Sequence, residues 1–297
     1  MIPSRPTIAL VGMLAAAAVQ AQTADFLHNL RTEASITWAE NYSRTSHVPT
    51  QKSAQFYTVD AALDHRVQLN PNWLLQASGE VAGHWAPKYT ALNHFAAGTQ
   101  LNLQRKFGLG PFAPVLQFHS SLTGYAVNEG GRSGWQLQGG VQLSKRLTEA
   151  WRISGGMDWT EYAARHHPFD TSQHTARLEV TWDVTDRWQF NVGGSRLWGQ
   201  LTANAAGSVW AQAISGGFGP VIYEVYNRNP WAVTDTFGPG WVAYRINGHA
   251  DTWWFEMAPA LSDHTSLALR YETVKVINEV GIRYDSAFWS LSVVHRF

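Results

Sequence analysis

Asn70-Pro71-Asn72-Trp73-Leu74-Leu75-Gln76-Ala77-Ser78-Gly79-Glu80-Val81-Ala82-Gly83-His84-Trp85 carries the fold in miniature. A tight polar turn is followed by a strand whose side chains change character at every step. Leu75, Ala77, Gly79, Val81 and Trp85 fall on one face; Gln76, Ser78, Glu80 and His84 fall on the other. Period-two alternation of this kind marks a strand with one apolar and one polar side. Trp stands at both ends of the segment, where an apolar ring with a polar N–H suits a boundary between oil and water.

The same alternation runs along most of the chain. Leu30, Thr32, Ala34, Ile36 and Trp38 oppose Arg31, Glu33, Ser35 and Thr37. Tyr57, Val59, Ala61, Leu63, Val67 and Leu69 oppose Asp60, Asp64, Arg66 and Gln68. Further runs cover 95–103, 116–122, 135–143, 151–159, 176–184, 188–192, 253–261, 267–273 and 289–297. The connections come in two kinds. Asn70-Pro71-Asn72, Thr148-Glu149-Ala150, Thr185-Asp186-Arg187 and Ser262-Asp263-His264 are short, with Gly108–Pro111 slightly longer. Asn41–Lys52, Ala86–Asn93, Asn128–Arg132 and Ala163–Gln173 are longer and polar. The two kinds alternate over the first nine strands. A transmembrane barrel sorts its connections this way, with short turns at one end and longer loops at the other; a soluble sandwich has no reason to.

Composition agrees. The 297 residues include 15 Trp and 25 Gly, and only 15% are charged, against roughly 25% in a soluble domain. Lys plus Arg and Asp plus Glu are 22 each, which gives no electrostatic footprint for nucleic acid. There is no cysteine, which excludes a disulfide-stapled domain. Ile8–Val19 is an apolar run ending at Val19-Gln20-Ala21. It is shorter than the roughly 20 residues of a membrane-spanning helix and reads as a secretory signal peptide. The expected organisation is a signal peptide at 1–21 and a barrel domain at 22–297.

The last strand, Phe288-Trp289-Ser290-Leu291-Ser292-Val293-Val294-His295-Arg296-Phe297, places Trp289, Leu291, Val293 and Phe297 at alternate positions. It resembles the C-terminal strand of Gram-negative outer-membrane β-barrel proteins of the porin-like kind. The resemblance is loose over the whole architecture and close in this strand, with His295 departing from the usual apolar residue. It implies an outer-membrane location, a lipid partner, and recognition of Trp289, Leu291, Val293 and Phe297 by the barrel assembly machinery.

The expected fold is therefore an all-β, antiparallel up-and-down transmembrane barrel. Strand-like composition at Val221–Tyr226 and Trp241–Ile246, with the hairpin signal Asn247-Gly248, favours fourteen strands. If 201–252 contributes none, there are twelve and a long loop that could fold into the mouth. Trp73, Trp151 and Trp188 follow short turns, and Trp38, Trp85, Trp159 and Trp198 lie near opposite strand ends, so an aromatic girdle is expected at each interface.

The polar faces carry Arg31, Glu33, Asp60, Asp64, Arg66, Glu80, Arg152, Asp158, Arg177, Glu179, Arg270 and Glu272. These are the expected lumen-lining residues. Both signs are mixed and no ring of like charge is legible, so the expectation is a channel for small hydrophilic solutes without strong charge selectivity. A non-conducting structural or adhesive surface barrel is the first alternative. A lipid hydrolase is the second, because His119 and Ser121 lie two apart on one strand and share a face, and His can activate a Ser hydroxyl. Leu116, Phe118 and Leu122 claim the lipid side, which turns that pair into the lumen. His166, His167 and His174 lack the scaffold of a metal site. No catalytic residue, metal or cofactor is expected, and no nucleotide fingerprint is present.

Overall fold

The computed structural model describes residues 29–297; the signal-peptide reading at 1–21 lies outside them. The chain forms β1 (Leu30–Ala39), β2 (Ala54–Asn70), β3 (Trp73–Trp85), β4 (His94–Lys106), β5 (Val115–Val127), β6 (Gly134–Arg146), β7 (Trp151–Ala164), β8 (Thr171–Thr185) and β9 (Trp188–Ala205). Two helices follow, α1 (Gly207–Ile214) and α2 (Pro220–Arg228). Then come β10 (Trp231–Thr234), β11 (Trp241–Pro259), β12 (Thr265–Asn278) and β13 (Arg283–Arg296).

Each strand from β1 to β8 pairs antiparallel with the next, β9 pairs with β11, and β11, β12 and β13 continue the sheet. β13 then pairs with β1, from Arg31↔Arg296 to Ala39↔Phe288, and closes the ring. Twelve strands make the barrel; β10 lies outside it, paired only with the first residues of β11. Closure leaves no strand edge in the ring, which is what a sheet needs where no water can satisfy the backbone. Among the described residues no helix is long and apolar enough to cross a membrane.

The count is twelve, not the favoured fourteen, and the difference lies between β9 and β11. Val221–Tyr226 is helical. Pro220 opens α2 at a position where its missing N–H costs nothing, and Ile222, Val225 and Tyr226 recur at helical spacing to pack on one cluster. Trp241–Ile246 is the first part of the 19-residue β11 rather than a separate strand. Asn247-Gly248 does not turn: Gly248 keeps an ordinary strand φ, and a Cβ there would meet Ile277 O at 2.6 Å. That glycine serves a close approach between β11 and β12.

The register fixes which side chains share a face. Ala34, Val59, Gly83, Phe95 and Ala126 follow one another across β1 to β5, and this parity carries the exposed Val81, Leu101, Leu122, Leu137, Met157, Leu178, Val192, Phe255 and Leu291. Trp253 is 67% exposed and Trp135 62%. Large apolar residues outside and carboxylates, amides and guanidinium groups inside is the reverse of a water-soluble domain. The buried apolar clusters around Trp210 and Trp241 lie at the end where the 206–240 segment sits and include residues of that segment.

Candidate functional site

Successive residues of a strand point to opposite faces, so the partners of the outward set define the inner wall. Arg31 and Glu33 on β1, Asp60, Asp64 and Arg66 on β2, and Glu80 on β3 all take the inner parity. So do Arg152 and Asp158 on β7, Arg177 and Glu179 on β8, and Arg270 and Glu272 on β12. Most of these are near the middle of their strands and form a polar waist.

The waist has two unlike walls. Glu33 is the register partner of Asp60, and Glu80 that of Ala62, two residues along. Thr123 donates to Glu80 at 3.3 Å, but none of Glu33, Asp60 and Glu80 makes an ion pair within 4.0 Å among the described residues. β2 and β8 are six strands apart in a ring of twelve, so the wall carrying Arg177 faces this acidic trio. There the groups are cross-linked. Asp158 lies 2.7 Å from His119 and 3.5 Å from Arg177 Nε. Arg270 pairs with Glu272 at 2.6 Å and with Glu256 at 3.7 Å, and its guanidinium lies 4.9 Å from the centre of the Trp254 ring. Trp254 Nε1 donates to Glu179 at 3.3 Å, and Asn191 to Glu256 at 2.9 Å. A cavity of about 350 Å³ opens against this wall, lined by Gln138, Asp158, Arg177, Glu179, Trp254 and Arg270 among others.

Glycines make this cross-linking possible. His119, Gly140 and Asp158 are successive partners across β5, β6 and β7. Glu179, Gly193 and Trp254 are successive partners across β8, β9 and β11. In each case the outer two side chains meet over the bare middle residue.

Toward the long-loop end the lining changes. A cavity of about 730 Å³ is bordered by Tyr42, Phe56, His84, His94, Tyr125 and Tyr162. These rings form an unbroken series with centroid separations of 5.5, 4.6, 4.8, 5.8 and 5.6 Å. The segment between β9 and β11 reaches over this mouth. Phe237 contacts the rings of Tyr42, Tyr89 and Trp241. Thr234 and Thr236 each donate to Glu129 at 2.6 Å, across to the β5–β6 loop. Glu129 also pairs with Arg132, whose guanidinium covers the Phe169 ring at 4.1 Å.

Of these rings the alternation along the sequence picks out only His84, on the polar face of its strand. Phe56, His84, Tyr125 and Tyr162 take the parity of the polar residues on their strands, and an aromatic in that phase near a loop was the available signal.

Trp38, Trp73, Trp85, Trp151, Trp159, Trp188 and Trp198 take the outward parity, in two groups near opposite strand ends. Trp289, Leu291 and Val293 are also outward, and Phe297 packs edge-on against His295 at 4.5 Å. His295 accommodates its polar ring by bonding to Thr265 at 2.9 Å. His119 and Ser121 both face inward, but the close partner of His119 is Asp158 and not Ser121. His166, His167 and His174 are not brought together; His167 lies 2.9 Å from Asp170, and no metal-holding cluster occurs among the described residues.

No family model matches the chain, and no curated protein does. Solved structures do. An outer membrane channel from Pseudomonas putida F1 is similar over 94% of this chain and 100% of its own, at 11% identity and a TM-score of 0.55. The NanC porin aligns over 90% of this chain and 100% of its own at 9% identity, TM-score 0.49. Outer membrane phospholipase A from Escherichia coli aligns over 89% of this chain and 95% of its own at 8% identity, TM-score 0.46. At such identities the likeness is one of fold: a closed antiparallel barrel of the outer-membrane kind.

Proposed function

We propose that the chain is an outer-membrane channel that passes small hydrophilic solutes through its polar waist. One observation carries the reading: the barrel is apolar outside and polar inside, with cavities of about 350 and 730 Å³ within its bore. Water-filled interiors with an apolar outer band are how transmembrane barrels conduct. The two walls refine the expectation of weak selectivity. The sorting was invisible in a list of mixed charges, because it depends on which strands face one another across the ring. Lipid is the partner of the outer band and its Trp residues. Trp289, Leu291, Val293 and Phe297 are the residues we assign to recognition by the assembly machinery.

The test is conductance of purified, heat-modifiable protein in planar bilayers. Discrete current steps are expected. Arg177→Gln with Arg270→Gln is expected to shift ion preference toward cations, and Glu33→Gln with Asp60→Asn toward anions. Silence from correctly folded protein overturns the channel. The segment fastened across the mouth favours a second reading, the non-conducting surface barrel, and silence would support it.

A further inference from the structure

The β1–β2 loop begins with a turn that does not behave like a surface loop. Asn41, Ser43 and Thr45 are almost wholly buried. Asn41 donates to Thr45 O at 2.9 Å and to Asp285 O at 3.2 Å, and accepts from the Ser43 hydroxyl at 3.2 Å. Asn204 on β9 donates to Ser43 O at 2.8 Å, and the Ser286 hydroxyl donates to Asn41 O at 3.2 Å. The turn is thus pinned to β9 and β13, and it holds two residues toward the large cavity, Tyr42 and Arg44.

Arg44 has φ 52° and is the only non-glycine residue with positive φ among the described residues. Such a conformation persists where surrounding contacts over-determine it, and those contacts are the ones just named. Among the described residues Arg44 makes no ion pair and no side-chain hydrogen bond, whereas the other arginine on the cavity, Arg132, is paired with Glu129. The carboxylate on the lining, Glu272, is taken by Arg270. An unspent guanidinium fixed at the mouth of an aromatic-lined cavity is a carboxylate receptor in chemical terms, since its planar fork matches two carboxylate oxygens.

The rest of the lining selects what the carboxylate is attached to. Most polar atoms of the ring series are used within the protein. Tyr42 is hydrogen-bonded to His84 at 3.1 Å, Tyr125 donates to Gln136 at 3.4 Å, and Tyr162 donates to Arg132 O. Leu92, Leu197, Leu201, Val274, Val276 and Phe288 add apolar surface to the lining, which also carries polar side chains such as Gln173, Ser195 and Thr252. A flat aromatic ring would gain edge-to-face or offset contacts with the series.

We infer that the vestibule binds aromatic monocarboxylates, with Arg44 holding the carboxylate and the Tyr42–Tyr162 ring series holding the ring. The inference rests on the channel reading, in that it names the class of solute admitted. The test is calorimetric titration of detergent-purified, heat-modifiable protein with sodium benzoate. Benzamide serves as the uncharged isostere and cyclohexanecarboxylate as the non-aromatic one. Saturable binding of benzoate is expected, at least tenfold tighter than either isostere. Arg44→Gln and Arg44→Gly are each expected to weaken benzoate at least tenfold. The glycine variant suits the positive φ, so it removes the guanidinium while favouring the turn. Undiminished benzoate binding by Arg44→Gly, equal binding of benzamide, or no saturable heat at millimolar benzoate overturns the inference. Conductance measured in parallel separates the two proposals. A conducting protein that ignores benzoate loses only the binding site; a binding protein that never conducts loses only the channel.

Discussion

His119 Nε2 lies 2.7 Å from Asp158 Oδ1 although the two residues are two strands apart, and Gly140 occupies the strand between them. Neighbouring strands are about 4.8 Å apart, so the pair spans roughly twice that distance by laying side chains over a residue that has none. A Cβ built on Gly140 would stand 2.3 Å from Asp158 Oδ1 and 2.7 Å from His119 Nε2. Gly140→Val is therefore expected to part the pair and lower stability by about 1–3 kcal/mol, the usual range for overpacking. Gly139→Val is the control. Gly139 faces outward and the nearest atom to its Cβ is 3.8 Å away, so its effect on the urea midpoint of refolding into lipid vesicles is expected to be small. Equal shifts for the two variants would refute the bridging role of Gly140.

Adjacent residues on β6 test the assignment of faces. Leu137 is exposed outward, and Gln138 borders the waist cavity. Leu137→Arg, and likewise Val59→Arg on β2, is expected to cost roughly 2–4 kcal/mol in a lipid bilayer. Gln138→Arg is expected to fold as the parent does. Comparable losses for Leu137→Arg and Gln138→Arg would mean that strand parity is inverted.

The alternation in Trp73–Trp85 made β3 readable because one face meets apolar surroundings and the other polar ones; a one-residue slip would exchange them. The same logic exposed the inward set from Arg31 to Glu272. It failed where the chain leaves that two-sided environment. Val221–Tyr226 packs on Trp210 and Tyr244 above the ring, so its apolar residues answer to a helical packing face instead of to a sheet. Asn247-Gly248 carries turn chemistry, but the backbone approach of Ile277 uses the glycine differently. The vestibule escaped for another reason. Tyr42, Phe56 and Tyr125 become one surface only once successive strands are paired in register, which brings each inward ring beside the next. Arg44 owes its position to Asn41 and Asn204, contacts that no local pattern encodes.

Glu129 fastens the segment that crosses the mouth, and its protonation state is accessible to experiment. Burial pushes its carboxyl upward, but Arg132 and the hydroxyls of Thr234 and Thr236 outweigh this and hold it below its ordinary value. A depressed folded pKa contributes stability that is full above the unfolded value and is lost as pH falls through the folded one. The fastening should therefore be intact at neutral pH and loosen only in acid, below the ordinary carboxylate range. Glu129→Gln should mimic this loosening at pH 7. Amide hydrogen exchange at Trp231–Thr234 is expected to quicken in the variant while β5 and β6 keep their protection. Unchanged exchange in β10 would show that its pairing with β11 alone holds the segment.

Orientation in the membrane is the remaining consequence of the two kinds of connection. The loops at 40–53, 86–93, 128–133, 165–170 and 279–282, with the 206–240 segment, share one end of the barrel; the turns at 71–72, 107–114, 147–150, 186–187 and 260–264 share the other. Transmembrane barrels of the outer-membrane kind keep long loops outside and short turns in the periplasm. The chain has no cysteine, so a single introduced thiol reports its own position. His47 lies exposed in the β1–β2 loop, and Asp263 in the β11–β12 turn. An impermeant maleimide applied to intact cells is expected to label His47→Cys and to reach Asp263→Cys only after lysis. The reverse pattern would turn the barrel over, and with it the vestibule and Arg44 would face the periplasm. Labelling of both thiols without lysis, in protein that fractionates as soluble, would remove the membrane from the account altogether.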